Sequence, residues 1–132
     1  MTERDTAAEV AMLVRQTLAL SESEPISAQQ LFFYDLGFTS MDLLDLLFRI
    51  EDHFGVTIAE GSLYGLARGD LPDAQFAEGG MLTPLGRERL MAVLSDTPAA
   101  IFPERITIDG LPRFATVGAI ARLVDHLRQE ER

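Results

Sequence analysis

Apolar residues recur at helical spacing in four stretches of the chain. Val10, Leu13, Val14, Thr17 and Leu18 predict a helix over about 5–20, with Asp5 or Thr6 as its cap. The strongest signal runs over about 41–54. There Leu43, Leu44, Leu46, Leu47, Ile50 and Phe54 alternate with Asp42, Asp45, Arg49, Glu51 and Asp52, and Gly55 offers a stop. A third helix is predicted at about 84–95, capped by Thr83, with Pro84 at its first position and Leu90, Val93 and Leu94 as its apolar stripe. The last is predicted at about 116–129, with Thr116 as cap and Val117, Ile120, Ala121, Val124 and Leu127 on one face.

Between the first two helices, "SESEPIS" breaks the periodicity, and Ile26, Leu31, Phe32 and Phe33 are the residues able to pin the following loop to a core. The stretch "ARGDLPDAQFAEGG" reads as loop, preceded by a short helix at about 61–68, and "ERITIDGLPRF" is ambiguous between strand and turn. No internal repeat and no low-complexity tract interrupts this order. The pattern predicts an all-α protein, a small helical bundle of one domain over 1–132, with a segment of about 59–113 inserted before its last helix. A structureless insertion of that length would be unusual in a compact domain, which is why helix is expected inside it.

Charge narrows the function. The 132 residues carry a formal net charge of −10. Nucleic-acid backbones and anionic membrane surfaces require the opposite sign, so basic docking partners are favoured. The chain has no cysteine, which excludes disulfides and thiolate metal sites and fits a reducing, cytoplasmic setting. "MTERDTAAEV" lacks the layout of a signal peptide, and no apolar run approaches the ~20 residues of a membrane span.

Ser40 sits where the strongest helix begins, three residues after Gly37, in "DLGFTSMDLL". It has three readings. Serine is a common helix cap, because its oxygen accepts an N–H that the first turn leaves unpaired. As a nucleophile it needs a base within hydrogen-bond reach, and His53 lies 13 residues further along the same helix, roughly 20 Å away at the helical rise. No strand and no G-x-S-x-G elbow accompanies it. As an attachment point, a phosphate ester on Ser40 would meet the free N–H groups and dipole of a helix N-terminus. Gly37 would allow the tight turn before it.

"DLGFTSMDLLDLLFRIEDHFGVTI" resembles the core motif of phosphopantetheine-dependent acyl carrier proteins, through Asp35, Leu36, Gly37, Ser40, Met41, Asp42, Glu51, Asp52, Phe54, Gly55, Val56 and Ile58. "FATVGAIARLVDHL" resembles the last helix of that family. The likeness covers roughly 5–58 and 114–129 and leaves most of 59–113 outside it. Thr39 stands where the family usually has aspartate, which leaves open the class of transferase that would recognise the chain.

The resemblance implies a stand-alone, monomeric carrier with no catalysis of its own. Ser40 would accept 4′-phosphopantetheine from coenzyme A by way of a phosphopantetheinyl transferase, within a motif that includes Asp35, Gly37 and Met41. The arm's thiol would carry acyl groups of a fatty-acid, polyketide or related specialised pathway. Asp42, Asp45, Glu51 and Asp52 would dock basic faces of acyl-activating, ketosynthase or acyltransferase enzymes. Leu44, Leu47 and Phe48 would line the cargo pocket. Aminoacyl or peptidyl cargo, or an unmodified adaptor, are the alternatives. The insertion would lengthen that pocket through Leu63, Tyr64, Leu66, Leu82, Leu85, Leu90, Met91 and Leu94, or serve docking, or add packing.

Overall fold

The computed structural model describes residues 3–58 and 62–130, with the side chains of 6–58 and 62–129. Residues 59–61, where the insertion begins, and the side chain of Asp5, a candidate cap, lie outside the described residues. The described residues form six α-helices and one small hairpin: α1 (Glu3–Thr17), α2 (Ser40–Phe54), α3 (Ser62–Arg68), α4 (Asp73–Phe76), β1 (Ala77–Glu78), β2 (Met81–Leu82), α5 (Pro84–Val93) and α6 (Val117–Glu130). Two 3₁₀ segments, Ala99–Ile101 and Ile108–Phe114, lie between α5 and α6. The fold is all-α in character.

Helix α1 packs against α6 and α2. Their shared core is built from Val10 and Val14 of α1, Leu46 and Ile50 of α2, and Val124 of α6, all fully buried. Phe32, also fully buried, reaches this core from the loop between α1 and α2, and Leu31 is 3% exposed. That loop is tied to the start of α6: Val117 N–H donates to Gln30 O at 3.0 Å and Gly118 N–H to Ala28 O at 2.9 Å. Thr116 caps α6 by accepting from Ala119 N–H at 3.1 Å, and Gly55 closes α2 in the left-handed region at φ 69°.

Helix α1 is shorter than its periodicity suggests. It stops at Thr17, and the chain reverses through Ala19 at φ 56°, with Leu20 N–H donating back to Arg15 O at 2.8 Å. Leu18 therefore follows the helix rather than continuing it. Thr6 is not a cap. It lies inside α1, fully buried, and its hydroxyl donates to Asp125 Oδ1 of α6 at 2.6 Å.

Beyond α3 the chain builds a second apolar layer. "DAQFAEGGML" folds as a short helix and a hairpin, not as loop. Gly79 and Gly80, at φ 61° and 78°, supply the two positive-φ positions of a tight two-residue turn. The segment after α5 crosses this hairpin, with Leu82 N–H donating to Ile106 O at 2.8 Å and Ile108 N–H to Gly80 O at 2.9 Å. "ERITIDGLPRF" resolves into that crossing followed by the 3₁₀ segment Ile108–Phe114. Phe76, Leu90, Leu94, Ile106 and Leu111 are buried here, and the layer packs on α3. Helix α5 begins as its cap dictates, with Thr83 Oγ1 accepting from Gly86 N–H at 3.0 Å.

Candidate functional site

The turn before α2 sets the position of Ser40. Asp35 closes a tight bend by accepting Leu31 N–H on Oδ2 at 2.7 Å, while its own N–H donates to Leu31 O at 2.9 Å. Gly37 then takes φ 69°, a left-handed conformation that costs a side-chain-bearing residue roughly 1–2 kcal/mol. Phe38 turns inward, 5% exposed, with its ring centroid 5.0 Å from that of Phe32. Phe38 thus anchors the turn from the core side, Asp35 and Gly37 shape it at the surface, and the next two residues emerge into solvent.

Thr39, not Ser40, is the cap of α2. Its hydroxyl oxygen accepts Asp42 N–H at 3.2 Å, and Asp42 Oδ2 accepts Thr39 N–H at 2.9 Å and Thr39 O–H at 3.0 Å. This reciprocal capping box removes the capping reading of Ser40. Ser40 is the first residue of the helix, exposed, and among the described residues its hydroxyl makes no hydrogen bond. Among the described residues no base hydrogen-bonds to it. His53, at the opposite end of α2, pairs through Nε2 with Glu9 Oε1 of α1 at 3.1 Å. A capped helix start with a free hydroxyl at its first position can present that oxygen to an incoming enzyme without breaking any contact of the fold.

Ser40 shares a helix face with Leu43, Leu44 and Leu47, which follow at three, four and seven residues. These three leucines form one side of a cavity of about 430 Å³, within the size range of small-molecule pockets. Ile58, Ser62 and Leu63 contribute from α3 and the chain before it. Pro112, Ala115, Ile120 and Leu123 close the far side. Ser62 is the one hydroxyl-bearing residue among these linings, so the cavity offers little to a polar group and much to a hydrocarbon.

Several residues sit differently from the sequence-based expectation. Phe48 does not line the cavity. It is 60% exposed and, with Met41 at 73% and Leu44 at 47%, forms an apolar stripe on the outside of α2. A clue was present in the sequence: α2 carries more apolar residues than one buried face can take. Of the insertion residues expected in the pocket, Leu63 lines it, whereas Leu82, Leu90 and Leu94 are buried in the second layer. Tyr64, Leu66 and Met91 are half-buried against the core, and Leu85 is 42% exposed. Pro112 and Ala115 gave no periodic signal, because they lie in and just after a 3₁₀ turn.

The four acidic residues of α2 are not equivalent. Asp42 is held in the capping box, and Glu51 accepts Ile58 N–H on Oε2 at 2.8 Å, so both shape the fold. Asp45 is exposed and lies 3.3 Å from Arg49 one turn on, and Asp52 is exposed. A second, polar cleft of about 310 Å³ is lined by Arg105, Asp109 and Arg113 among others. Among the described residues no group of acidic, histidine or cysteine side chains is placed to hold a metal ion.

Residues 8–68 match the family model described as "Phosphopantetheine attachment site". These residues are a phosphopantetheine-attachment domain. Domains of this family are the sites where 4′-phosphopantetheine is attached covalently. Two barley (Hordeum vulgare) proteins are similar over 65 residues, or 49% of this chain. "Acyl carrier protein 1, chloroplastic" is 29% identical over 43% of its own length. "Acyl carrier protein 2, chloroplastic" is 31% identical over 50% of its own length. The chain thus spans about half the length of the curated relatives it matches. No solved structure matches it. The start of α2 fits the attached group: an exposed hydroxyl without a partner among the described residues is followed on the same helix face by residues that line an apolar cavity. No helix among the described residues is long and apolar enough to cross a membrane.

Proposed function

We propose that this chain is an acyl carrier in which the Ser40 hydroxyl holds 4′-phosphopantetheine. The observation that carries the reading is the division of labour between two adjacent hydroxyls. Thr39 is consumed in the capping box, and Ser40 has no hydrogen-bond partner among the described residues. The attached arm supplies a thiol that links cargo as a thioester. The chain's own residues then do the rest. Asp35, Gly37 and Phe38 hold the turn, and the first turn of α2 places N–H groups and the helix dipole beside the phosphate. The cavity along Leu43, Leu44 and Leu47 shields an apolar cargo from water. Its hydrocarbon lining favours acyl groups over aminoacyl ones, whose ammonium would be buried without a partner. The pathway is of the fatty-acid or polyketide kind.

Partner enzymes meet α2 from outside. Asp45 and Asp52 face basic residues of the partner, and Met41, Leu44 and Phe48 add an apolar contact at the centre of that surface. The partners are a phosphopantetheinyl transferase and acyl-activating, ketosynthase or acyltransferase enzymes. Arg122, 2.8 Å from Asp96, ties the second layer to α6, which supports one carrier unit over 1–132. The lack of cysteine suits a reducing compartment such as the cytoplasm.

Intact mass spectrometry with coenzyme A and a broad-specificity phosphopantetheinyl transferase tests this. Wild type gains one phosphopantetheine and Ser40→Ala gains none. A folded wild type that transferases of several classes leave unmodified would replace this reading with that of an unmodified adaptor.

A further inference from the structure

The cavity beside Ser40 is lined from two distant parts of the chain. One wall comes from α2, inside the matched residues 8–68. The other wall includes Pro112, Ala115, Ile120 and Leu123, and all four lie beyond residue 68. Pro112 is flanked by Leu111 and Phe114, which are 2% and 5% exposed and sit in the second apolar layer. The Phe114 ring lies 5.3 Å from that of Phe102 at 31°. The buried hydroxyl of Thr97 donates to Phe114 O at 2.6 Å, and Ala115 O accepts Phe32 N–H from the long loop on its other side. The wall is therefore clamped from both directions.

We propose that the segment beyond residue 68 sets the length of acyl chain this carrier accepts, through the Pro112–Ala115 wall, with Thr97 as its positioning residue. The proposal takes its biological meaning from the acyl-carrier reading above. A close-packed layer does not yield continuously to pressure, so a wall fixed to it defines a definite depth. Each methylene that enters the cavity strengthens binding about fourfold, from ~0.8 kcal/mol of transfer free energy per group. Methylenes that reach past the wall stay in water and add nothing. Affinity therefore climbs with chain length and then levels off, and the position of that plateau reports the wall.

The test uses the full, unmodified chain, so it does not depend on whether Ser40 accepts the arm. Neutral acyl-N-acetylcysteamine thioesters of increasing chain length are titrated and followed by amide chemical shifts. Wild type is expected to show the fourfold steps and then a plateau. Ala115→Leu, which fills the cavity, moves the plateau to shorter chains. Thr97→Val, which keeps the shape and releases Phe114 O, moves it to longer chains, and Thr97→Ser restores it. Thr83→Val, which removes the cap of α5 away from the wall, controls for lost stability and leaves the plateau in place. A plateau unchanged in both Ala115→Leu and Thr97→Val overturns the proposal. So does a folded wild type that binds none of the thioesters, and in that case attachment at Ser40 still stands or falls by its own mass measurement.

Discussion

Gly86 is the third residue of α5, in its first turn, where glycine is still a poor helix former, and the structure explains its presence. A Cβ built there would lie 1.9 Å from Phe76 O, 2.9 Å from Phe76 C and 3.3 Å from Phe76 Cα. All three atoms are backbone, so no side-chain rotation relieves the contact. Helix α5 must move away from α4 and the hairpin, loosening the fully buried Phe76 and Leu90. In Gly86→Ala the gain in helix propensity is ~1 kcal/mol. Overpacking costs ~1–3 kcal/mol when side chains alone adjust, and more when backbone must shift. The net expectation is a loss of about 2 kcal/mol, or about 8 °C in Tm for a chain of this size. Gly65 in α3 is the matched control, because it is exposed and its Cβ would meet nothing within 4 Å. Gly65→Ala should gain ~0.5–1 kcal/mol. Urea and thermal denaturation of both variants decide the matter. A Gly86→Ala protein as stable as wild type, or both variants shifting in the same direction, would refute the packing of α5 against Phe76.

Three other expectations are independent of this one. Thr39→Ala removes the capping box and should cost about 1 kcal/mol by urea denaturation, while intact mass shows the arm still attaching at Ser40. Ala19→Gly should stabilise by about 1 kcal/mol in the same assay, because Ala19 sits at φ 56° where a Cβ is strained. Burial, and then the hydrogen bond to Asp73 at 3.0 Å, raises the Tyr64 hydroxyl above the ordinary value of 10.0. The neutral phenol is thus the form the fold favours. Its contribution to stability is complete below the unfolded pKa and fades as pH rises through the higher folded one. Ultraviolet titration should show this late phenolate in wild type and lose it in Tyr64→Phe.

What the sequence revealed divides along physical lines. Helices α2 and α6 were legible because a strong period is joined to one clear end signal in each: Gly55 stops α2 and Thr116 caps α6. The end of α1 was not, since Ala19 does in the left-handed region what glycine usually does, and nothing in the composition marks it. The α4–hairpin unit was missed because four-residue and two-residue elements carry no period, although Gly79–Gly80 between Glu78 and Met81 is a turn signal in its own right. At the site, the motif around Ser40 was plain. The assignment of the cap to Thr39 required geometry, since two neighbouring hydroxyls are equally suited to it. The cavity's far wall was hidden for a different reason. It is assembled from residues whose contacts are long-range, held by Thr97 and Phe102 from elsewhere in the chain.

Thr39 and Ser40 are adjacent hydroxyls, and one of them carries the arm. Incubation of wild type with coenzyme A and a transferase, followed by proteolysis and fragment-ion sequencing of the peptide spanning 35–49, reads that directly. The structure's capping geometry predicts the phosphopantetheine mass on Ser40, with Thr39 unmodified. The added mass on Thr39, or on a peptide elsewhere in the chain, would contradict it.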